Sequence, residues 1–273
     1  MDVLVSEINK IIISGFRGYI GSVLKEHVSN ISRNDWNVIS LADLNLNSGR
    51  YTFIHLASKA NAENEELETL FYNLSLDLEV FKFVSVKNCR LIYFSGNNVY
   101  PKMINADIND ANGGDDFYSK SKYLSEKILR ELPNEKFTIF RVADVFGKGQ
   151  RHGNFFKSLE SSIKNNTKIR QYSYGRKLRN YIYIDELVKI ILYFVSIDKF
   201  KGRTYNITYK DAFSLFEIIN FTAKITELPV EIDYEFIDDK CDVRVMEASD
   251  LEGYIFSSTM SEALNKYINE IKR

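Results

Sequence analysis

The 115–129 stretch, "DDFYSKSKYLSEKIL", contains two tyrosines that each have a lysine four residues further on. Tyr118 is followed by Lys122, and Tyr123 is followed by Lys127. Residues four apart share one face of an α-helix. Either lysine could therefore favour the tyrosinate form of its tyrosine and support proton transfer to or from a substrate oxygen. Spacing alone does not separate the pairs, because a solvated, charged helix face would give the same pattern.

A second segment with chemical potential is the glycine-rich stretch "IIISGFRGYIGSVL", between an apolar strand-like run and an amphipathic helix-like run. Its first glycine permits a tight turn, its second lets backbone amides approach a pyrophosphate, and its third lets the helix pack closely on the strand. The order of strand, loop and helix predicts a dinucleotide site, and a turn with incidental glycines is the alternative. The predicted contacts in this loop are Gly15, Phe16, Arg17, Gly18, Tyr19, Ile20 and Gly21.

Both segments lie in a first half that alternates strands and helices. Strands are predicted at short apolar runs, as expected for parallel strands buried on both faces, and helices where apolar residues recur at helical spacing. The predicted strands are "KIIIS", "WNVISL", "YTFIHLA", "RLIYFS" and "FTIFRVA", and the predicted helices cover 19–28, 65–86 and 117–131. This order predicts an α/β fold with a doubly wound parallel sheet.

After Gly147 the alternation becomes less regular. Helices are predicted near 154–164, 185–197 and 214–226, with a last one in "STMSEALNKYINEI". Short strands are predicted at "KIRQYS", "NYIYI", "TYNIT" and "VEIDYEF". No segment resembles a flexible linker, so this part is predicted to be a smaller lobe on the sheet rather than an independent domain.

The composition excludes several classes of function. The chain has 273 residues, is 45% hydrophobic and has a formal net charge of -1 without charged blocks, so neither nucleic acid nor a membrane is expected as a partner. The most apolar helix, "LVKIILYFVSI", is too short to span a bilayer. The N-terminus lacks the apolar run of a signal peptide. Two distant cysteines, Cys89 and Cys241, favour a reduced cytoplasmic compartment.

The Gly-x-x-Gly-x-x-Gly spacing resembles that of the extended short-chain dehydrogenase/reductase family, whose members include nucleotide-sugar epimerases, dehydratases and reductases. The resemblance continues along most of the chain, because its motifs recur in the family's order. The matching segments are "FIHLASKA", "FSGNNVYP", "YSKSKYLSE", "RVADVFGKGQ" and "RNYIYIDEL". Two positions depart from the family pattern, since Asp144 replaces an asparagine and Lys148 replaces a proline.

The resemblance selects Tyr118 over Tyr123, because only Tyr118 is followed by Ser121 and Lys122 in the family's arrangement. It implies that Tyr118 moves a proton while hydride moves to or from nicotinamide, and that Lys122 also binds the nicotinamide ribose. The further cofactor contacts that the resemblance implies are Leu56, Ala57, Ser58, Lys59, Asn73, Ser95 and Val145. Residues 1–147, with contributions from 175–210, would form the Rossmann-like NAD(P)-binding domain, and 148–273 mainly the substrate lobe.

One expected hydroxyl is missing. The family places Ser or Thr three residues before the valine of its Val-Tyr pair, and Gly96 occupies that position here. Ser95 should point to the opposite face of the strand. Asn97 and Asn98 follow where some relatives have acid-base residues, and amides cannot move protons in that way. We therefore expect carbonyl reduction rather than dehydration or epimerisation at C3 or C5, with Asn97 as the replacement hydrogen-bond donor.

The cofactor preference depends on two residues. NAD-specific relatives end their second strand with an acid, but Asp43 comes late for that role. Arg17, in the glycine loop, could hold a 2′-phosphate, although a surface arginine is the alternative. The stretches "GFRGYIG" and "NNVYPK" are also locally similar to GDP-fucose synthase, which uses NADPH. NADP(H) is therefore the preferred cofactor and NAD(H) the alternative.

The implied substrate is a nucleoside diphosphate sugar, bound in the second lobe. Arg179 and Arg244 match positions where relatives use arginine near the diphosphate, and Asn154 lies in the expected substrate loop. A surface or capping role is the alternative for each of the three. Gly96, Asn97 and Asn98 would line the same site. The three histidines are too scattered for a metal site, and His55 is expected in a buried strand.

The predicted function is reduction of a 4-keto-6-deoxy sugar nucleotide for surface polysaccharide, by a cytoplasmic homodimer. A 4-epimerase of the same fold that keeps its NAD is one alternative. A non-catalytic NAD(P)-binding regulator is another, because the hydroxyl is missing at Gly96.

Overall fold

A computed structural model describes residues 9–28, 50–59, 67–133, 135–150, 155–172, 174–197, 199–233 and 242–272. The chain divides into two compact units. The first contains Met1–Pro101, Asp110–Arg141 and Val188–Tyr205, and the second contains Lys102–Asn109, Val142–Leu187 and Asn206–Arg273. The predicted strand at 36–41, residues 65–66 of the predicted second helix, Asp43, His152, Asn154 and Cys241 lie outside the described residues.

The first unit is built on a five-stranded sheet in the order β1-β2-β3-β4-β8. Its first three strands are parallel neighbours. The strands are β1 (Asn9–Ser14), β2 (Arg50–His55), β3 (Arg90–Gly96), β4 (Phe137–Val142) and β8 (Arg203–Ile207). Every residue of β4 and all but the last of β3 are buried, as expected of strands covered on both faces. The predicted Rossmann-like α/β fold with a parallel sheet and flanking helices is confirmed.

Helices supply the other layers of this unit. They are α1 (Tyr19–His27), α2 (Leu67–Val86), α3 (Phe117–Glu131) and α5 (Ile184–Ile197). The long helix α2 packs along α3. An apolar cluster under them joins helix and strand side chains, including Phe53, Phe83, Leu91, Leu129 and Ile139. This packing holds α3, which carries both Tyr-Lys pairs, firmly against the sheet.

The second unit combines short strands with helices. One sheet contains β5 (Asp144–Phe146), β7 (Leu178–Tyr183), β9 (Ala212–Ser214) and β11 (Val243–Arg244), and a second pairs β6 (Ile169–Tyr172) with β10 (Val230–Asp233). Its helices are α4 (Phe155–Lys164), α6 (Leu215–Thr226) and α7 (Met260–Lys272). Among the described residues, no helix has the length and apolar character needed to cross a membrane.

Candidate active site

The glycine loop joins β1 to α1 and needs glycine at two positions. Gly15 has a φ of +73°, and a Cβ there would lie 2.7 Å from the backbone nitrogen of Ala57. A Cβ on Gly21 would lie 2.4 Å from the Gly15 carbonyl oxygen. Gly18 is the N-cap of α1 and provides no side-chain cap. Backbone amides can therefore approach an anion closely here, so the loop fits a dinucleotide pyrophosphate.

Two cations lie near the ring of Phe16 in this loop. The Arg17 guanidinium is 5.6 Å from the ring centroid, and the Lys25 ammonium from α1 is 5.3 Å from it. Arg17 is exposed, whereas Tyr19 and Ile20 are half-buried in the first turn of α1. The loop thus offers positive charge to a phosphate, and Lys25 is a second candidate that the sequence reading did not include.

The segment after β2, Leu56 to Lys59, is half-buried and fixed by Asn73 of α2. The Asn73 side chain accepts a hydrogen bond from the Lys59 amide at 2.7 Å and donates to the Lys59 carbonyl at 3.1 Å. It also donates to the Ser121 hydroxyl of α3 at 3.4 Å. Asn73 therefore braces this loop, which contains Ala57 and Ser58, against the helix of the Tyr-Lys pairs.

Four predicted site residues follow one another at the end of β3. Ser95 is buried, and its hydroxyl has no hydrogen-bond partner among the described residues. Gly96 ends the strand in an extended conformation, with a φ of -140° and a ψ of 169°. Asn97 is buried in the single helical turn that follows, and Asn98 is half-buried. The strand thus ends in Gly96 and the buried Asn97, with no hydroxyl at the position of Gly96.

The loop before α3 is anchored to that same strand end. The amides of Asn112 and Gly113 both donate to the Val99 carbonyl at 3.0 Å. Asp116 then caps α3, because its carboxylate accepts from the Ser119 amide at 2.7 Å. Tyr118 is half-buried in the first turn that this cap starts. The cap and the anchored loop together fix where the Tyr118 side chain begins.

Lys122, one turn further along α3, is almost completely buried at 2% exposure. Its ammonium is 3.9 Å from the carboxylate of Asp77, on α2, and 4.8 Å from the ring centroid of Tyr93. Asp77 is fully buried and also accepts hydrogen bonds from His55 and Tyr93. His55 lies in the buried strand β2, as predicted. Its hydrogen bond to Asp77 was not predicted.

The second pair of the stretch has a different setting. Tyr123 is half-buried and Lys127 is exposed. The Lys127 ammonium is 5.2 Å from the Tyr123 ring centroid. The pair therefore forms a cation–π contact at the surface of α3.

A buried ion pair fixes the inner side of α3. Arg141 of β4 donates to the Glu126 carboxylate at 2.6 Å and to the Tyr100 hydroxyl at 2.8 Å. The Glu126 carboxylate raises the pKa of the Arg141 guanidinium although burial opposes this. The contact joins the helix, a central strand and the segment after Asn97.

The second unit contains the remaining described site residues. Val145 lies in β5, and its carbonyl accepts from the Gln150 side chain at 2.6 Å. Arg179 is paired with Asp242 and lies 3.8 Å from Asp144, and Arg244 lies 3.4 Å from Asp242. Burial works against the charged Arg179, but the two carboxylates outweigh it and raise its pKa. The two arginines predicted to bind the diphosphate thus both lie beside Asp242, and this pairing was not predicted from the sequence. Over the ranges the structure describes, no cluster of metal-ligating side chains occurs.

The chain belongs to the NAD dependent epimerase/dehydratase family, whose model matches residues 11–208. This result confirms the family that the motifs indicate. The local similarity to GDP-fucose synthase stays a prediction.

Solved structures with the same fold include both reductases and epimerases. The structure of RMD from Pseudomonas aeruginosa, complexed with NADPH, has a TM-score of 0.76 and 17% identity over 97% of this chain and 100% of that one. The dTDP-4-dehydrorhamnose reductase from Bacillus anthracis, complexed with NADP, has a TM-score of 0.76 and 17% identity over 97% and 99%. The UDP-glucose 4-epimerase from Thermotoga maritima, with UDP-glucose, has a TM-score of 0.73 and 17% identity over 96% and 98%. The similarity establishes the fold and does not separate these reactions.

Proposed function

We propose that this chain binds NADP(H) and reduces the keto group of a 4-keto-6-deoxy sugar nucleotide. One observation carries the proposal. Tyr118 lies in the first turn of a capped helix, the loop before it is anchored to the end of β3, and the buried Lys122 follows one turn later. The family adds a nicotinamide cofactor, and the glycine loop fits its pyrophosphate.

Bound NADPH would supply a hydride to the carbonyl carbon. Tyr118 would donate its hydroxyl proton to the carbonyl oxygen, which leaves a secondary alcohol and a tyrosinate. Lys122 would hold the nicotinamide ribose and stabilise that tyrosinate until solvent returns the proton. The Asn97 amide would hydrogen-bond the same oxygen, in the role that a hydroxyl at Gly96 would have had.

Two features support reduction over the other reactions of the family. Asn97 and Asn98 are amides, which do not exchange protons as the acid-base residues of a dehydratase must. Arg17 and Lys25 offer charge for a 2′-phosphate. If Arg17 binds it, Arg17→Ala should weaken NADPH binding by about one to two decades, since a charge-assisted contact contributes roughly 1.5–3 kcal/mol. NADH binding should change little, and equal losses for both cofactors would give Arg17 a structural role.

The nucleoside diphosphate is proposed to bind Arg179 and Arg244, whose carboxylate partners hold them in place until an anion arrives. Arg179→Ala should then weaken the sugar nucleotide and leave NADPH binding unchanged. We also place the enzyme in the cytoplasm, where it would serve surface polysaccharide synthesis.

A homodimer is proposed from the outer surfaces of α2 and α3. Large apolar side chains are exposed there, and Phe71 is 59% exposed; the others are Leu67, Leu78 and Leu124. Such a patch favours association. Light scattering should give a dimer at micromolar concentration and a monomer for Phe71→Glu. A monomeric parent protein would refute the dimer.

The function can be tested by screening nucleotide sugars with NADPH and NADH in a thermal-shift assay, followed by measurement of NADPH absorbance. A reductase oxidises NADPH in proportion to the product formed. A 4-epimerase would copurify with its cofactor and invert the sugar without net oxidation. Cofactor binding without turnover of any sugar nucleotide would favour the regulator and overturn the proposal.

A further inference from the structure

A row of polar side chains crosses the first unit at one level of its sheet. Ser14, His55 and Tyr93 are register partners on the adjacent parallel strands β1, β2 and β3. Side chains alternate between the two faces of a strand, so partners at one level of a parallel sheet point to the same face. All three are buried, and Asp77 of α2 contacts two of them.

The hydrogen bonds in this row fix the protonation of its members. Burial alone would raise the pKa of Asp77, but the charge of Lys122 and the bonds from His55 and Tyr93 lower it to about 2. Asp77 is therefore an ionised carboxylate near neutral pH and only accepts hydrogen bonds. His55 Nε2 must then donate to Asp77 Oδ1 at 2.7 Å, and Tyr93 donates to Oδ2 at 2.6 Å. Burial lowers the pKa of the His55 imidazole and so favours its neutral form, in which Nδ1 accepts from the Ser14 hydroxyl at 2.5 Å.

The row connects the proposed catalytic lysine with the cofactor loops. Lys122 lies at one end, with its ammonium 3.9 Å from Asp77 Oδ2. At the other end, Ser14 immediately precedes Gly15, and its hydroxyl accepts from the Ala57 amide at 3.3 Å. A buried ammonium is strongly penalised without an opposite charge nearby. Asp77 provides such a charge from the neighbouring helix α2.

We propose that Asp77 is a positioning residue, which fixes the Lys122 ammonium for the nicotinamide ribose and Tyr118. Through His55 and Ser14 it also links that ammonium to the start of the glycine loop. The inference rests on the proposed function. It adds Asp77 to the proposed site, although an aspartate inside a helix would ordinarily be expected to face solvent.

Asp77→Asn isolates the charge in this arrangement. The amide oxygen can still accept from Tyr93, and the amide nitrogen can donate to His55 Nε2 if the imidazole proton moves to Nδ1. The Ser14 hydroxyl oxygen can accept a hydrogen bond from the resulting Nδ1–H group, because a hydroxyl both donates and accepts. The variant therefore keeps its size and its bonds, and it loses the negative charge beside Lys122.

The experiment is a double-mutant cycle with Asp77→Asn, Lys122→Met and the double variant, in which NADPH and ADP dissociation constants are measured by titration. Asp77→Asn should weaken NADPH about tenfold, within the range of coupling between contacting residues, and leave ADP unchanged because ADP lacks the nicotinamide ribose. In the Lys122→Met background it should have no further effect on NADPH. Tyr93→Phe is the matched control: it removes one bond to Asp77 but keeps the charge, so NADPH binding should change little.

Three results would contradict the inference. Equal weakening of NADPH and ADP by Asp77→Asn would indicate a general disturbance of the loop. If Asp77→Asn weakens NADPH binding by the same factor with Lys122 present and with Lys122→Met, Asp77 does not act through Lys122. An equal effect of Tyr93→Phe would assign the result to packing. If the parent protein binds neither NADPH nor NADH, both the proposed function and this inference are wrong. If the parent protein binds NADPH and any of the three results above is found, only the role of Asp77 is wrong.

Discussion

Helix α3 presents the same Tyr-x-x-x-Lys spacing on two faces, and only one of the two lysines is buried. Tyr118 and Lys122 belong to the face that packs towards the sheet, where Lys122 is buried against the Asp77 carboxylate. Tyr123 and Lys127 belong to the outer face, where the ammonium rests on the aromatic ring. An exposed ammonium is screened by water, whereas a buried one acts strongly on its neighbours. This difference in surroundings is the reason why we propose a catalytic role for the first pair and not for the second.

Removing each tyrosine hydroxyl in turn should give the largest difference between the two pairs, measured as turnover. Tyr118→Phe should lower turnover by about 100-fold to 10,000-fold, the usual contribution of a positioned general acid. NADPH should still bind, because the fold and the glycine loop are unchanged. Tyr123→Phe is the matched variant five residues further along α3, and it should retain nearly full turnover. Steady-state rates of both variants check this, and an inactive Tyr123→Phe would reverse the assignment of the two faces.

The lysines give the next largest difference, in stability rather than rate. Lys122→Met leaves the buried Asp77 without its cationic neighbour, so the free energy of unfolding should fall by about 3 kcal/mol. Lys127→Met removes only an exposed cation–π contact and should change it by less than about 0.5 kcal/mol. Urea unfolding measures both values. Similar losses for the two variants would mean that Lys122 is not coupled to Asp77.

The smallest effect is a pH dependence that belongs to the inner face. Burial lowers the pKa of the His55 imidazole below its ordinary value of 6.5, despite the bond to Asp77. Below pH 6.5 the unfolded chain takes up a proton that the folded chain excludes. Stability is thus complete above that pH and falls as the pH decreases, by up to about 1.4 kcal/mol per pH unit.

His55→Phe should lower stability at every pH, because Asp77 loses a donor, and should remove this slope below pH 6.5. His27→Gln, which changes an exposed histidine at the end of α1, should leave the slope intact. Urea unfolding at several pH values checks the pair. A slope that survives in His55→Phe would place its origin elsewhere.

The sequence predicted most of the fold because the elements carry their own signals. Runs such as "KIIIS" and "FTIFRV" are rich in apolar residues, and residues 11–14 of the first and all of the second are buried in strands. The short strands β5, β9 and β11 were missed, since two or three residues cannot display a periodicity. The assignment of the cofactor and substrate domains, by contrast, stays a prediction.

The candidate site was predictable only where a motif marks it. The glycine loop and the Tyr-x-x-x-Lys spacing are local patterns, and the structure places them at the loop and helix start that the sequence indicated. The Asp77 network was not predictable in this way. Its members lie on three strands and two helices, and nothing in the spacing of α2 distinguishes a buried aspartate from a solvated one. His55 looked like an ordinary strand residue for the same reason.

The proposal that Tyr118 and its neighbours support net reduction of a sugar carbonyl can be tested by isotope transfer. The protein is incubated with a 4-keto-6-deoxy sugar nucleotide and NADPH deuterated at the transferred position. We expect mass spectrometry to find one deuterium in the sugar for each NADPH oxidised, and none with Tyr118→Phe. No transfer of deuterium and no oxidation of NADPH with this substrate would contradict it, and inversion at C4 of a sugar nucleotide such as UDP-glucose, without net oxidation of the cofactor, would identify an epimerase.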